Sequence, residues 1–274
     1  PCRKNFGCEF GENLPLTGKV SFGEQVVFEA TTEYPSYWLS RTYSEYTSSG
    51  WTSGKTEPLS FGPDTVMPPQ TDLQKRVPVQ QILKTRVATS EFLVGGKVDN
   101  MSHQVVAETL SPKTFTIDLQ DSTDDPLLPD DLRTLANDLR QHLIPPPDGY
   151  LESFISRRLP DDLVLTKVTT DDSNSIGFVQ TVTVQRKSPS VPDIVSWRLG
   201  KGLRENQGYS MVSLVSVAED SDLTGAYTSY SGFIKDHYLQ LPPSLPRRVK
   251  ELAQDLTQDL TTPFSKVLAI QSFL

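Results

Sequence analysis

The chain has 274 residues, 36% of them hydrophobic and 9% aromatic, enough to bury the core of one large domain or two small ones. Its 26 basic and 34 acidic residues give a net charge of −8, and the basic residues are scattered apart from pairs such as Arg157-Arg158 and Arg247-Arg248. A phosphate backbone is neutralised by a clustered basic face, so nucleic acid is excluded as a partner, and an anionic membrane surface is no better supported. No window reaches the roughly 18 to 20 consecutive apolar residues of a spanning helix, and no signal-peptide pattern opens the chain. With Pro1 first and Leu274 last, in an apolar helical pattern without a stop, both ends read as cut from something longer.

Residues 1–19 carry Gly7, Gly11, Pro15 and Gly18 and no sustained period, and read as an irregular lead-in. Cys2 and Cys8 lie there with five residues between them, too few ligands for a zinc site unless distant His residues join them. A small-loop disulfide between them is compatible with a location outside the cytoplasm. Alternation over 25–32 predicts a strand, and a second is expected over about 37–46. The stretch 47–71, rich in Ser, Gly and Pro, is expected to be a long loop. Short β-type runs follow at 77–87, 91–94, 104–110 and 113–119, separated by Gly95-Gly96, Asp99-Asn100 and Ser111-Pro112. Such spacing suggests antiparallel neighbours joined by hairpins.

Over 121–162 the period changes. Asp121, Asp124, Asp125, Asp130 and Asp131 precede Leu132, Leu135, Ala136, Leu139 and Leu143 at helical spacing, with acids at the positive end of the helix dipole. Pro145, Pro146 and Pro147 end that helix, and a second over 151–159 stops at Pro160. This pair reads as an insertion between strands of a sheet, since about 40 residues hold too little core to stand alone. Strands resume at 163–169, 177–186 and 209–218. Two helices close the chain, with Ser244 the expected cap of the first and Thr262-Pro263 the cap and first turn of the second. The expected fold is therefore mainly β (α+β): an antiparallel β-sandwich or barrel-like sheets, an inserted helical pair and two C-terminal helices. The expected division is a β-rich domain over 1–236, with the helical insertion at about 121–162, and a helical lead-in over 237–274.

Chemical signatures are sparse. His103, His142 and His237 each have a bland sequence setting and read as surface or capping residues. Cys2 and Cys8 lie near a chain end, not at a helix start that would lower a thiol pKa. Acidic pairs recur at 124–125, 130–131, 161–162 and 171–172, yet adjacent carboxylates on one strand face opposite ways, and solvated or capping roles are the commoner ones. No P-loop, HExxH, GxSxG or EF-hand pattern is present, and Gly200-Lys201-Gly202 lacks the rest of a dinucleotide loop. No cofactor and no metal is expected.

The most unusual feature is YPSYWLSRTYSEYTSSGW over 34–51. As a strand it would place Tyr37, Leu39, Arg41 and Tyr43 on one face and Trp38, Ser40 and Thr42 on the other. Trp51 would then fold back as a core plug, and Arg41 would stack between rings or pair with Glu45. The competing reading makes Tyr37, Trp38, Arg41, Tyr43, Tyr46 and Trp51 a binding surface for glycan or protein.

The same residues carry a resemblance. FGENLPLTG at 10–18, VVFEA at 26–30 and the string Pro35, Tyr37, Trp38, Arg41, Tyr43, Tyr46, Gly50 and Trp51 are similar to the start of the extracytoplasmic region of bacterial membrane-anchored transglutaminase-like proteins. HYLQLPPSLPRRVKELAQDLTQDLTTPFSKVLAIQSFL at 237–274 resembles the helical lead-in to the catalytic core of that family. The likeness is dense at both ends and loose over 72–236. It implies a non-catalytic accessory domain outside the cytoplasmic membrane that positions a thiol acyl-transferase or protease-like core and helps select its substrate. Its implied partners are that core and the membrane helices of the parent chain, with cell-envelope protein or glycan as further candidates. The family's catalytic Cys, His and Asp would lie beyond Leu274, so none is carried onto this sequence.

Overall fold

The computed structural model describes residues 11–16, 24–68, 74–120, 125, 127–142, 150–171, 178–226 and 228–274. Cys2 and Cys8, between which the sequence allows a disulfide, lie outside the described residues. In chain order the strands are β1 (Asn13–Pro15), β2 (Phe28–Thr32), β3 (Glu45–Tyr46), β4 (Gly50–Thr52), β5 (Thr56–Phe61), β6 (Arg76–Thr85), β7 (Thr89–Glu91), β8 (Lys97–Met101), β9 (Val105–Leu110) and β10 (Thr114–Asp118). Helices α1 (Asp130–His142) and α2 (Leu151–Ser156) precede β11 (Leu163–Asp171), β12 (Phe178–Arg186), β13 (Ile194–Leu203) and β14 (Gly208–Ser216). Helices α3 (Asp220–Thr224), α4 (Gly232–Tyr238), α5 (Arg247–Thr257) and α6 (Pro263–Phe273) follow. The fold is mainly β, with antiparallel open sheets rather than a closed barrel.

The chain forms two compact units. The first comprises Pro1–Leu110, Val191–Ser229 and Gln240–Leu274. Here two four-stranded sheets, ordered β5-β9-β13-β7 and β2-β6-β14-β8, share one core. The sequence dictates their inner faces by its period of two. In β6, Val79, Gln81, Leu83 and Thr85 are buried while the residues between them are exposed, and β14 answers with Tyr209, Met211, Ser213 and Val215. The opposite sheet contributes Val105, Ala107, Trp197 and Leu199, and Phe92 fills the middle. Each Val, Leu, Met or Phe among these is worth about 1.5–3 kcal/mol of burial. Gln81 is tolerated inside because its amide both donates to and accepts from the backbone of Gly95, at 3.3 Å each way. Pro78 is tolerated in β6 because β2 pairs only with Gln81–Thr85, so beside Pro78 the strand has a single neighbour.

Strands adjacent in sequence here mostly join different sheets: β6 and β7, β8 and β9, and β13 and β14 are not paired. The expected run of hairpins is thus replaced by crossovers, as burying two inner faces on each other requires. Three further expectations change. The stretch 47–71 contains β4 and β5, because β1 and β9 supply long-range partners that local composition does not reveal, and Pro58 is accepted on the edge strand β5. Residues 37–46 form only isolated bridges, Leu39 with Val94 and Arg41 with Ser196, before the two-residue β3. Asp99 and Asn100 lie within β8, whose register with β14 shifts at Val212/Ser213.

At the C-terminal end, Thr262 caps α6 by accepting from the Ser265 N–H at 3.2 Å, with Pro263 in the first turn. Helix α5 starts later than expected, after Pro246 and without a side-chain cap, while the Ser244 hydroxyl bonds that of Ser48 at 2.8 Å. Among the described residues no helix is long and apolar enough to cross a membrane.

The second unit comprises Ser111–Ser190 and Tyr230–Leu239. A three-stranded antiparallel sheet, β10-β12-β11, packs Ile117, Leu163, Val182 and Val184 against Leu132, Leu135, Ala136 and Leu139 of α1 and Ile155 of α2. The helical pair does lie between two strands of one sheet, but sheet and helices together form a unit with its own core. The expected boundary after residue 236 falls inside α4, a helix of this unit.

Candidate functional site

The aromatic segment of the first unit alternates inward anchors with outward rings. Pro35 holds Tyr34 out of helical geometry, and the Thr32 hydroxyl donates to the Tyr34 carbonyl at 3.1 Å, so β2 ends in a turn. Beyond the turn Tyr37 is 100% exposed, whereas Trp38 packs on the sandwich core with its ring edge-on to Phe28 at 5.9 Å. The Leu39 backbone exchanges two hydrogen bonds with Val94, at 2.8 and 3.1 Å, and the Thr42 N–H donates to Val195 at 2.7 Å. These bonds fix the segment without a strand.

Arg41 points inward between them. Its guanidinium, with 2% of the side chain exposed, meets the Glu108 carboxylate at 2.5 Å and donates to the Ser53 hydroxyl at 3.1 Å. Ser53 in turn donates to the Thr42 carbonyl at 3.1 Å. Ser40 donates to the buried Glu91 carboxylate at 2.7 Å. The Tyr43 hydroxyl donates to the Gly11 carbonyl at 3.0 Å. Burial pushes the Tyr43 phenol up, with the charge of Glu91 adding to the shift and that of Arg41 opposing it.

The shared strand face expected for Tyr37, Leu39, Arg41 and Tyr43 is therefore absent: Arg41 is buried and Tyr37 lies wholly in solvent. Trp51 is no core plug either. In the β3–β4 hairpin it stands opposite both Tyr46 and Leu14, 39% exposed, with its ring 5.1 Å from that of Tyr46. Tyr34, Tyr37 and Trp51 thus present aromatic surface, while Trp38 and Arg41 secure the segment to the sandwich.

The histidines fall into three settings. His103 Nδ1 and the Ser102 hydroxyl are 2.8 Å apart, but Ser102 also accepts from the Ser210 N–H at 2.9 Å, tying β8 to β14. His142 sits in the last turn of α1, 3.0 Å from the Asp138 carboxylate. His237 departs from the expected surface role: it is 1% exposed in α4, its ring 4.5 Å from that of Phe233.

Two of the acidic pairs have a function in folding that their sequence setting does not show. Asp131 and Asp162 converge on Arg186 in the second unit, at 2.6 and 2.9 Å, and Asp236 completes the set at 2.7 Å. Burial opposes the Arg186 charge, but the hydrogen bonds and charges of Asp236 and Asp131 outweigh it and hold the guanidinium above its ordinary pKa. Gly232 is needed beside it, since a Cβ there would stand 2.6 Å from the Arg186 Cζ. The three carboxylates are engaged in holding one cation rather than facing each other across an empty cleft. Among the described residues no group of three His, Cys, Asp or Glu is placed to hold a metal ion.

Compared with known protein families, curated proteins and solved structures, this chain matches none.

Proposed function

We propose that this chain is a non-catalytic accessory domain of a bacterial, membrane-anchored, transglutaminase-like protein of the cell envelope. It would lie on the extracytoplasmic side and position an acyl-transferase or protease-like core and its substrate. The observation that carries a docking role is the aromatic segment itself, rigidly bonded at Leu39, Arg41 and Thr42 yet holding Tyr37 entirely in solvent. A surface ring on an ordered backbone loses little conformational freedom when a partner covers it. The sequence likeness at 10–51 and 237–274 supplies the rest of the reading. A second reading, glycan binding by the same segment, is favoured by the Tyr46–Trp51 pair, whose partly exposed indole can stack on a sugar ring.

One experiment separates these. The full-length parent protein, in intact spheroplasts, should be cleaved by added protease within this region, and Tyr37→Ala should lower its turnover of a peptide acyl donor about tenfold without shifting its thermal midpoint. Protection from the protease, or acyl-transfer turnover by the present chain alone, would overturn the accessory reading. Retention of the chain on purified cell-wall sacculi, lost in Trp51→Ala, would replace it with the glycan reading.

A further inference from the structure

In the second unit, α2 and the edge strand β11 flank a cleft of about 440 Å³, within the size range of small-ligand sites. On the helix side Ser153, Ser156 and Arg157 share one face at i, i+3 and i+4, with Glu152 beside them. On the strand side stand Thr166 and Lys167. Consecutive residues of a regular strand point to opposite faces, but β11 is bulged here: its register with β12 slips between Leu165 and Lys167, which leaves Thr166 as the extra residue. The Thr166 hydroxyl secures the bulge by donating to the Thr183 carbonyl at 3.0 Å, and both Thr166 and Lys167 then reach the cleft. The sequence pair Arg157-Arg158 divides. Arg158 lies over the Phe154 ring at 4.7 Å and faces Asp138 at 3.9 Å, whereas Arg157 lines the cleft. Neither the Arg157 guanidinium nor the Lys167 ammonium has an ion-pair or hydrogen-bond partner in the described structure, and the Ser153 and Ser156 hydroxyls are also unbonded.

We propose that this cleft binds a small phosphate monoester carried on a hydroxylated carbon chain, the chemistry of a sugar or polyol phosphate. At pH 7 such an ester carries about −1.5 to −2 charges, which two cations match. The guanidinium offers a planar fork to the phosphate oxygens and the ammonium a compact charge, and the serine hydroxyls donate beside them. Glu152 and Ser153 also line the neighbouring cleft, with Tyr150 and Thr170, while Arg157 and Lys167 do not. The site is therefore polarised. The phosphate belongs at the Arg157 and Lys167 end, and the ligand hydroxyls extend toward Glu152, whose carboxylate accepts their hydrogen bonds. An apolar ligand finds little here, since Leu165 is the only apolar side chain among the described lining residues. This inference stands apart from the accessory-domain reading, because it concerns the second unit and not the aromatic segment of the first.

The test titrates the whole chain with glycerol 3-phosphate, inorganic phosphate, acetate and glycerol at pH 7 and low salt. Binding is followed by the backbone amide resonances of Ser153, Ser156, Thr166 and Lys167. The ester should bind with a Kd on the order of 1 mM, at least about threefold more tightly than inorganic phosphate, and glycerol should leave the resonances unmoved. Arg157→Ala and Lys167→Ala should each weaken the ester at least about fivefold, and the double variant should abolish the response. Both side chains are exposed and without a partner, so the thermal midpoint should hold in each variant. Glu152→Ala should erase the preference for the ester over inorganic phosphate. Unchanged affinity in the double variant, or acetate binding as tightly as phosphate, would overturn the proposal. So would sedimentation of the chain with phosphatidic acid vesicles without any response to glycerol 3-phosphate, which would assign the cleft to a lipid surface instead.

Discussion

Each unit buries an arginine, and the two are used differently. In the first, Arg41 is an accessory to a core already supplied with large rings: Phe92 stacks on Tyr209 at 4.4 Å and lies 6.4 Å from Trp197, with Met67, Met101 and Met211 around them. In the second, the core cluster is entirely aliphatic, and Arg186 bonds Asp131 of α1, Asp162 ahead of β11 and Asp236 of α4. Apolar packing is non-directional and ties each helix of the second unit to the sheet through shape alone. A planar guanidinium with donors in fixed directions specifies where three carboxylates must stand. The sandwich is located by its pairing registers, and helices α1 and α4 of the smaller unit are tied together by one cation.

The contrast breaks most sharply at Arg186. Arg186→Ala would leave Asp236, 1% exposed in its side chain, without its cation, and loss of one partner from a buried pair typically costs about 3–5 kcal/mol. Asp131 and Asp162 keep 48% and 44% of their side chains in solvent and add much less. All three tryptophans, Trp38, Trp51 and Trp197, belong to the first unit, so amide exchange in α1, α4 and β12 should accelerate while the tryptophan fluorescence transition holds its place. An equal shift of both signals would show that the two units unfold as one and that Arg186 supports the whole chain.

A smaller effect is expected from Tyr209→Phe, which tests whether the sandwich also depends on a directional contact. The Tyr209 hydroxyl accepts from the Leu93 N–H at 2.7 Å and donates to the Leu93 carbonyl at 3.0 Å. Its removal strands both backbone groups beside the core, at a cost of about 1–3 kcal/mol in the tryptophan-monitored transition. A change below about 0.5 kcal/mol would mean that water satisfies Leu93 instead.

Why the smaller clamp was hard to read from sequence follows from the same physics. The alternation Val182, Val184, Arg186 places the arginine on the buried face, and that inward cation is the sequence signal that carboxylates must gather there. Which carboxylates gather is not local information, since Asp131 and Asp236 are 55 and 50 residues away. The sheets show the same division. Strands with clean alternation, such as β6, β12 and β14, are legible because one face is buried, as are α1 and the Thr262-Pro263 start of α6. In β13 the alternation of Val195, Trp197 and Leu199 carries the signal, but Gly200 and Gly202 obscure it, and no strand is expected there from the sequence. β5 owes its existence to the distant β9, and β4 to the distant β1 as well as to its hairpin partner β3. The aromatic segment is conspicuous as composition, yet only the tertiary bonds of Leu39, Arg41 and Thr42 decide which rings turn outward.

The smallest expected effect lies in the first unit at Asp222, where a charge acts at the surface rather than in a core. Its carboxylate accepts from the Glu219 N–H at 3.1 Å and stands 3.3 Å from the Lys75 ammonium, closing the first turn of α3. The backbone bond from Glu219, helped by Lys75, holds the Asp222 carboxyl below its ordinary value. A carboxyl depressed in the folded state contributes stability that is fully present above its unfolded pKa, about 3.9, and is lost as pH falls through the lower folded value. Protection of the α3 amides should therefore decline in acid in the wild type and lack that step in Asp222→Asn, whose neutral amide does not titrate. The exposure of the pair confines the change to this short helix, and salt should weaken the Lys75 contribution while leaving the bond from Glu219 in place. If the acid step persists in Asp222→Asn, another carboxyl governs α3.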